Sequence, residues 1–182
     1  DKQNTNAGMV DNILLTTGGS QAAFYGLSIN YIYLNTGDIN GVVVSNCMIR
    51  YRIELARPNA NNWTIDGCIF TNTDVNLTAY INTYGHGTVT NLRVRNCILN
   101  GKVVEFNTGS SYNYMTNCIF LQNANSPTFQ TVNYFYITNS IFYRAQPRIS
   151  SGWINFNNCL SFATTGGSTV FSANSDGTAR TV

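Results

Sequence analysis

A six-residue phrase recurs along this chain at a nearly fixed step. It reads SNCMIR at Ser45–Arg50, DGCIFT at Asp66–Thr71, RNCILN at Arg95–Asn100, TNCIFL at Thr116–Leu121, TNSIFY at Thr138–Tyr143 and NNCLSF at Asn157–Phe162. From Cys47 through Cys68, Cys97, Cys118 and Ser140 to Cys159 the steps are 21, 29, 21, 22 and 19 residues. A strand-like run precedes each copy: VVVS, WTI, LRV, NYM, FYIT and WINF. Repetition at this period demands a stacked architecture, because a unit of about twenty residues cannot bury its apolar face alone. The period is too short for helical arrays of about 33 to 47 residues, and the leucine spacing of leucine-rich repeats is missing. One rung of a parallel β-helix fits: short strands rich in Val, Ile, Tyr, Phe and Thr, separated by turns rich in Gly, Asn, Ser and Asp. The expected fold is an all-β solenoid of about seven rungs.

The residue before each cysteine slot is Asn46, Gly67, Asn96, Asn117, Asn139 or Asn158. Asn and Gly enter the left-handed backbone region most readily, so one bend repeated in every rung accounts for them. Stacked at about 4.8 Å, the amides form an asparagine ladder. Cys47, Cys68, Cys97, Cys118 and Cys159 follow that bend, where a small side chain suits an inner corner. Their parallel side-chain vectors disfavour disulfides, and an odd number of cysteines leaves one unpaired in any case. Neither a CxxC pair nor a Cys–His pair at ligand spacing occurs, so no metal and no cofactor is expected.

Two further columns follow from the phrase. Ile49, Phe70, Leu99, Phe120, Phe142 and Ser161 read as core. Met48, Ile69, Ile98, Ile119, Ile141 and Leu160 either point outward as an apolar stripe, open to a flanking domain or to self-association, or are tucked partly inside by the bend.

The strand after each phrase reads NYIYLN, YRIELAR, NLTAYIN, KVVEFN, PTFQTV and PRISS. Alternation sends Ile32, Leu34, Ile53, Leu55, Leu77, Ala79, Ile81, Val104, Phe106, Phe129 and Ile149 inward. It leaves Tyr33, Glu54, Tyr80, Glu105 and Gln130 as one outward column, with Tyr31, Arg52, Thr78, Val103, Thr128 and Arg148 beside it. Arg57, Asn82 and Asn107 stand at strand ends. Aromatic faces beside carboxylates, amides and guanidiniums suit a sugar chain, which needs stacking and directional hydrogen bonds. The same column also fits a merely solubilising face. The candidate ligand-binding residues are Tyr31, Tyr33, Arg52, Glu54, Arg57, Tyr80, Asn82, Glu105 and Gln130. The candidate catalytic residues are Glu54, Glu105, Arg52 and Arg148; His86, the one histidine, sits on a glycine turn and reads as a solvated loop residue.

These rungs resemble the pectate-lyase-like superfamily of right-handed parallel β-helices. They are similar above all to uncharacterised β-helix modules of secreted bacterial polysaccharide-utilisation proteins. The resemblance covers 24–172 and implies right-handed coiling and a sugar groove on the strand after the phrase. It does not imply one activity, because the fold hosts lyases, hydrolases, adhesins and spikes. The acidic clusters of its calcium-dependent lyases and the Asp pairs of its hydrolases have no counterpart here.

Composition sets the remaining bounds. Charged residues make up 10% of the 182, and the net charge is +2, too little for a nucleic-acid surface. No apolar run is long enough to span a membrane. Low charge with abundant Asn, Thr, Ser and Tyr suits a secreted or bacterial cell-surface protein. One domain over 1–182 is expected, with a partial opening rung and tail over 1–23, repeats over 24–172 and a polar tail over 173–182, as part of a longer chain. The expected function is non-catalytic polysaccharide binding along the outward strip. A polysaccharide lyase or glycoside hydrolase, and a structural spike or filament module, are the alternatives.

Overall fold

The computed structural model describes residues 9–16, 19–34, 36–55, 59–71, 81–82, 88–100, 104–105, 111–121, 128–129, 132–144, 148–149 and 152–162. Every strand pairing in it is parallel, and the strands stack as a β-solenoid. One sheet runs through Met9–Leu15, Ser28–Leu34, Met48–Glu54, Ile69–Phe70, Ile98–Asn100, Ile119–Leu121, Ile141–Tyr143 and Leu160–Phe162. Ile81–Asn82 and Val104–Glu105 extend it beside the second half of Met48–Glu54. A second sheet runs through Ala23–Tyr25, Val43–Ser45, Thr64–Asp66, Arg93–Arg95, Ser111–Thr116, Val132–Thr138 and Gly152–Asn157. Ile39–Asn40, Ala60–Asn61 and Val89–Thr90 join it at Ser111. Thr128–Phe129 pairs separately with Arg148–Ile149. The described residues make about five turns, somewhat fewer than the seven rungs expected.

The bend between the sheets is the one the phrase encodes. Gly26, Asn46, Gly67, Asn96, Asn117, Asn139 and Asn158 all have φ between 50° and 65°, the left-handed region where Asn and Gly cost least. The Asn117 amide donates to Asn96 Oδ1 at 3.3 Å, and Asn96 donates onward to Asp66 Oδ1 at 2.8 Å. The ladder is thus broken at Gly67, and steric room explains why. A Cβ there would lie 2.5 Å from Asn46 Oδ1, so the amide of one rung occupies the space a side chain on the next would need.

A second left-handed bend closes the other corner of the second sheet, at Gln21, Gly41, Asn62, Asn91 and Tyr112. Behind it Val42, Trp63, Leu92 and Asn113 point inward, all fully buried. Two of them carry polar groups, and both groups are spent on backbone. Trp63 Nε1 donates to Ile39 O at 3.0 Å. Asn113 Nδ2 donates to Val89 O at 3.1 Å while its Oδ1 accepts from Leu92 N at 2.9 Å.

The core follows the phrase. Ile49, Phe70, Leu99, Phe120 and Phe142 have no exposed surface, and the Phe120 and Phe142 rings stack at 4.4 Å and 2°. Ile32, Leu34, Ile53, Leu55 and Ile81 are buried as alternation requires. Val104, Phe129 and Ile149 hold strand positions, whereas Leu77, Ala79 and Phe106 lie outside the described residues. Met48, Ile69, Ile98, Ile119, Ile141 and Leu160 pair in unbroken register. Met48, Ile69 and Leu160 are exposed, and the three isoleucines between Ile69 and Leu160 are half-buried against one another. The stripe therefore faces outward.

All five cysteines are buried free thiols. Each donates to the backbone carbonyl two residues earlier, as Cys97 Sγ does to Arg95 O at 3.1 Å. Ser140 makes the same contact to Thr138 O at 2.9 Å. Burial pushes the Cys159 thiol above its ordinary pKa. Protein unfolded without reductant should release five thiols to Ellman's reagent, and the native protein should react far more slowly. Fewer than five after unfolding would contradict this packing. Cys97→Ser should unfold at nearly the wild-type urea midpoint, because Ser140 already fills that role two rungs along the same column.

Candidate functional site

The strip expected after the phrase is organised around Glu54. Register places Tyr33 beside Glu54 and Tyr31 beside Arg52. Arg52 Nη2 lies 2.8 Å from Glu54 Oε2, and its guanidinium sits over the Tyr31 ring, 4.8 Å from the centroid. The Tyr31 hydroxyl donates to Glu54 Oε2 at 3.4 Å. The Tyr31 and Tyr33 rings meet edge to face at 5.8 Å. Burial raises the Tyr31 phenol above its ordinary pKa, so it remains a donor. Both members of the ion pair are about three-quarters buried. Arg52 Nε is fully buried with no hydrogen-bond partner. The four side chains thus form one interlocked unit rather than four independent surface groups.

A bulge makes this arrangement possible. Between Ile29 and Tyr31 the first strand has one residue, whereas Met48–Glu54 has two in the matching interval, and the register shifts there. Bulges re-aim side chains at sheet corners. Here the extra residue leaves Arg50 and Tyr51 exposed and returns Ile53 to the core.

Further along the column the register corrects one expectation. Glu54 pairs with Asn82, and Asn82 with Glu105. Asn82, not Tyr80, therefore stands between the two glutamates. The extra residues of that rung displaced the alignment by two positions. Thr128 and Arg148 share a position, as expected. Arg57, Tyr80, His86 and Gln130 lie outside the described residues. No group of three His, Cys, Asp or Glu able to hold a metal ion occurs among the described residues. No helix there is long and apolar enough to cross a membrane.

A second constellation escaped the sequence. The strands before the phrase point inward the residue three places ahead of the cysteine slot, Val94, Met115 and Ile137, so the residues on either side of it point out. Thr64, Arg93, Tyr114, Tyr136 and Asn155 form one outward column, and Asp66, Arg95, Thr116, Thr138 and Asn157 the next. Tyr114 and Tyr136 stack at 5.2 Å and 12°. Arg95 Nε donates to Asp66 Oδ2 at 2.9 Å. Arg93 Nε donates only weakly, to Asn91 Oδ1 at 3.4 Å. A groove of about 430 Å³ is lined by Arg93, Val94, Arg95, Tyr114 and Thr116. Another of about 220 Å³ lies between Asn62, Thr64, Asn91 and Arg93. The signal was present in LRVR, NYMT and FYIT, whose flanks are basic or aromatic.

In comparisons with known proteins, no family model, no curated protein and no solved structure matches the chain.

Proposed function

We propose that the chain is a non-catalytic polysaccharide-binding module, secreted or at a bacterial cell surface, related to the pectate-lyase-like β-helices. The supporting observation is the interlocked Tyr31–Tyr33–Arg52–Glu54 unit, continued in register by Asn82 and Glu105. Its parts match the needs of a sugar ring: aromatic surface for C–H faces, and fixed charged and amide groups for hydroxyls. Side chains already held in place lose little entropy when a ligand arrives. The same unit argues against hydrolysis. Glu54 is neutralised by Arg52, an amide stands on the next rung, and the next carboxylate is two rungs away, about 9.6 Å at ordinary strand spacing. That exceeds the carboxylate separation of retaining enzymes and reaches the outer edge of the inverting range.

Affinity electrophoresis against plant, algal and host polysaccharides tests the proposal. At least one gel should retard the chain, and Tyr33→Ala should weaken that retardation roughly three- to tenfold, the worth of one ring contact. Unchanged retardation of Tyr33→Ala would remove the strip from the binding face. Release of unsaturated or reducing sugar ends would replace binding with catalysis.

A further inference from the structure

We infer that the groove between Arg93 and Tyr114 on the second sheet is a separate binding site for an acidic sugar unit, one bearing a carboxylate or a sulfate ester. The inference stands on that sheet alone and does not depend on the strip around Glu54.

Three observations converge on it. The first is an available positive charge. Arg95 is paired with Asp66, whose second oxygen is taken by the Asn96 amide. Arg93 has no carboxylate partner among the described residues and only the long contact to Asn91. Asp66, Arg93 and Arg95 together leave this patch net positive. The guanidinium fork of Arg93 suits bidentate recognition of an oxyanion.

The second is an available ring face. Tyr114 and Tyr136 stack at 5.2 Å and 12°, close to the spacing of successive rungs, about 4.8 Å. Tyr136 covers one face of Tyr114, and on the opposite side of Tyr114 in the column stands Arg93, its register neighbour. Arg93 does not fill that space: its Nε turns to Asn91 Oδ1, and the groove of about 430 Å³ remains between them. A pyranose would lay a C–H face on Tyr114 while its anionic substituent met Arg93.

The third is continuity. Arg93 also lines the smaller groove with Asn62, Thr64 and Asn91. Asn91 donates to Asn62 Oδ1 at 2.6 Å, which fixes the amides beside it. A neighbouring sugar could use their hydroxyl-directed groups, so the site fits a chain better than a free anion.

Isothermal titration with an oligomer of glucuronic acid, a sulfated oligosaccharide, a neutral oligosaccharide of equal length and sodium sulfate tests this directly. One or both acidic oligomers should bind, more weakly as salt rises, and the arm that binds identifies the anionic group. Arg93→Gln should weaken that binding tenfold or more, the worth of a charge-assisted bond, and Tyr114→Ala should weaken it several-fold. Both positions are exposed, so circular dichroism of the variants should match wild type. The inference is overturned if neither acidic oligomer binds, if the neutral one binds equally well, or if Arg93→Gln retains wild-type affinity. Sodium sulfate binding as tightly as the sulfated oligomer would reduce the site to a simple anion site and overturn the sugar assignment. Neutral glycan bound equally by wild type and Arg93→Gln, with no acidic binding, would sink this inference and leave the Glu54 strip standing.

Discussion

Phe120→Ala is expected to destabilise the solenoid by about 3–5 kcal/mol. The ring has no exposed surface and lies flat on Phe142, with Leu99 on the rung below in the same column. Phe142 in turn meets Phe156 edge to face at 5.9 Å. Removing the ring opens a cavity between two rungs whose backbones are tied by strand pairing, so the walls cannot collapse into it. Urea unfolding followed by circular dichroism should show the loss as a lower midpoint. Phe120→Leu should recover most of it, because the column already accepts leucine at position 99 and volume-conserving swaps cost less than about 1.5 kcal/mol. Leu160→Ala, at an exposed position, should barely move the midpoint. If Phe120→Ala and Leu160→Ala behaved alike, the stacked core described above would be wrong.

The other large effect is expected at Asn113. Asn113→Ala strands a buried N–H at Leu92 and removes one bond from the Val89 carbonyl. An orphaned buried group costs about 1–3 kcal/mol and a lost hydrogen bond about 0.5–1.5 kcal/mol, so the total is about 1.5–4.5 kcal/mol. Asn113→Leu separates polar satisfaction from packing. Leucine suits an inner column otherwise built of Val42, Trp63 and Leu92, yet it cannot satisfy either backbone group. It should therefore fall well short of wild type, and amide exchange at Leu92 should accelerate in both variants. Recovery of wild-type stability by leucine would show that Asn113 merely fills space. The preceding residue sharpens the point. Tyr112 holds φ at 56°, a conformation costly for a bulky side chain, and the two Asn113 bonds help hold it there.

The sequence made the first bend legible because seven rungs repeat it with only two residue types, Asn and Gly. The second bend was not legible for the opposite reason. Gln21, Gly41, Asn62, Asn91 and Tyr112 share a backbone conformation and no common chemistry. The Glu54 strip was found because Ile32 and Ile53 alternate with polar neighbours over long enough strands to show a period. Strands such as Arg93–Arg95 are too short to show one, and only register, which sets the rungs side by side, brings Arg93 next to Tyr114. Tyr80 was misplaced because counting from the phrase assumes equal rung lengths. Ile81 instead pairs with Ile53 on one side and Val104 on the other, and that core contact fixes the alignment. The interlocking of Arg52 with Tyr31 and Glu54 lies beyond any one-dimensional reading, since it depends on a bulge that spacing does not reveal.

The rung with the longest step has a use in protein engineering. Ile69 and Ile98 are 29 residues apart and Ile98 and Ile119 are 21 apart, yet all three pair in one continuous register. Strand alignment in this molecule is therefore indifferent to how much chain lies between one rung and the next. Most of the excess falls between Phe70 and Ile81, both seated in the core. Loop-closure entropy grows only with the logarithm of length, so further residues inserted there would add little thermodynamic load. That segment is a natural graft point: foreign peptides could be displayed from it at a fixed height along a rigid column, with a neighbouring rung as the ruler.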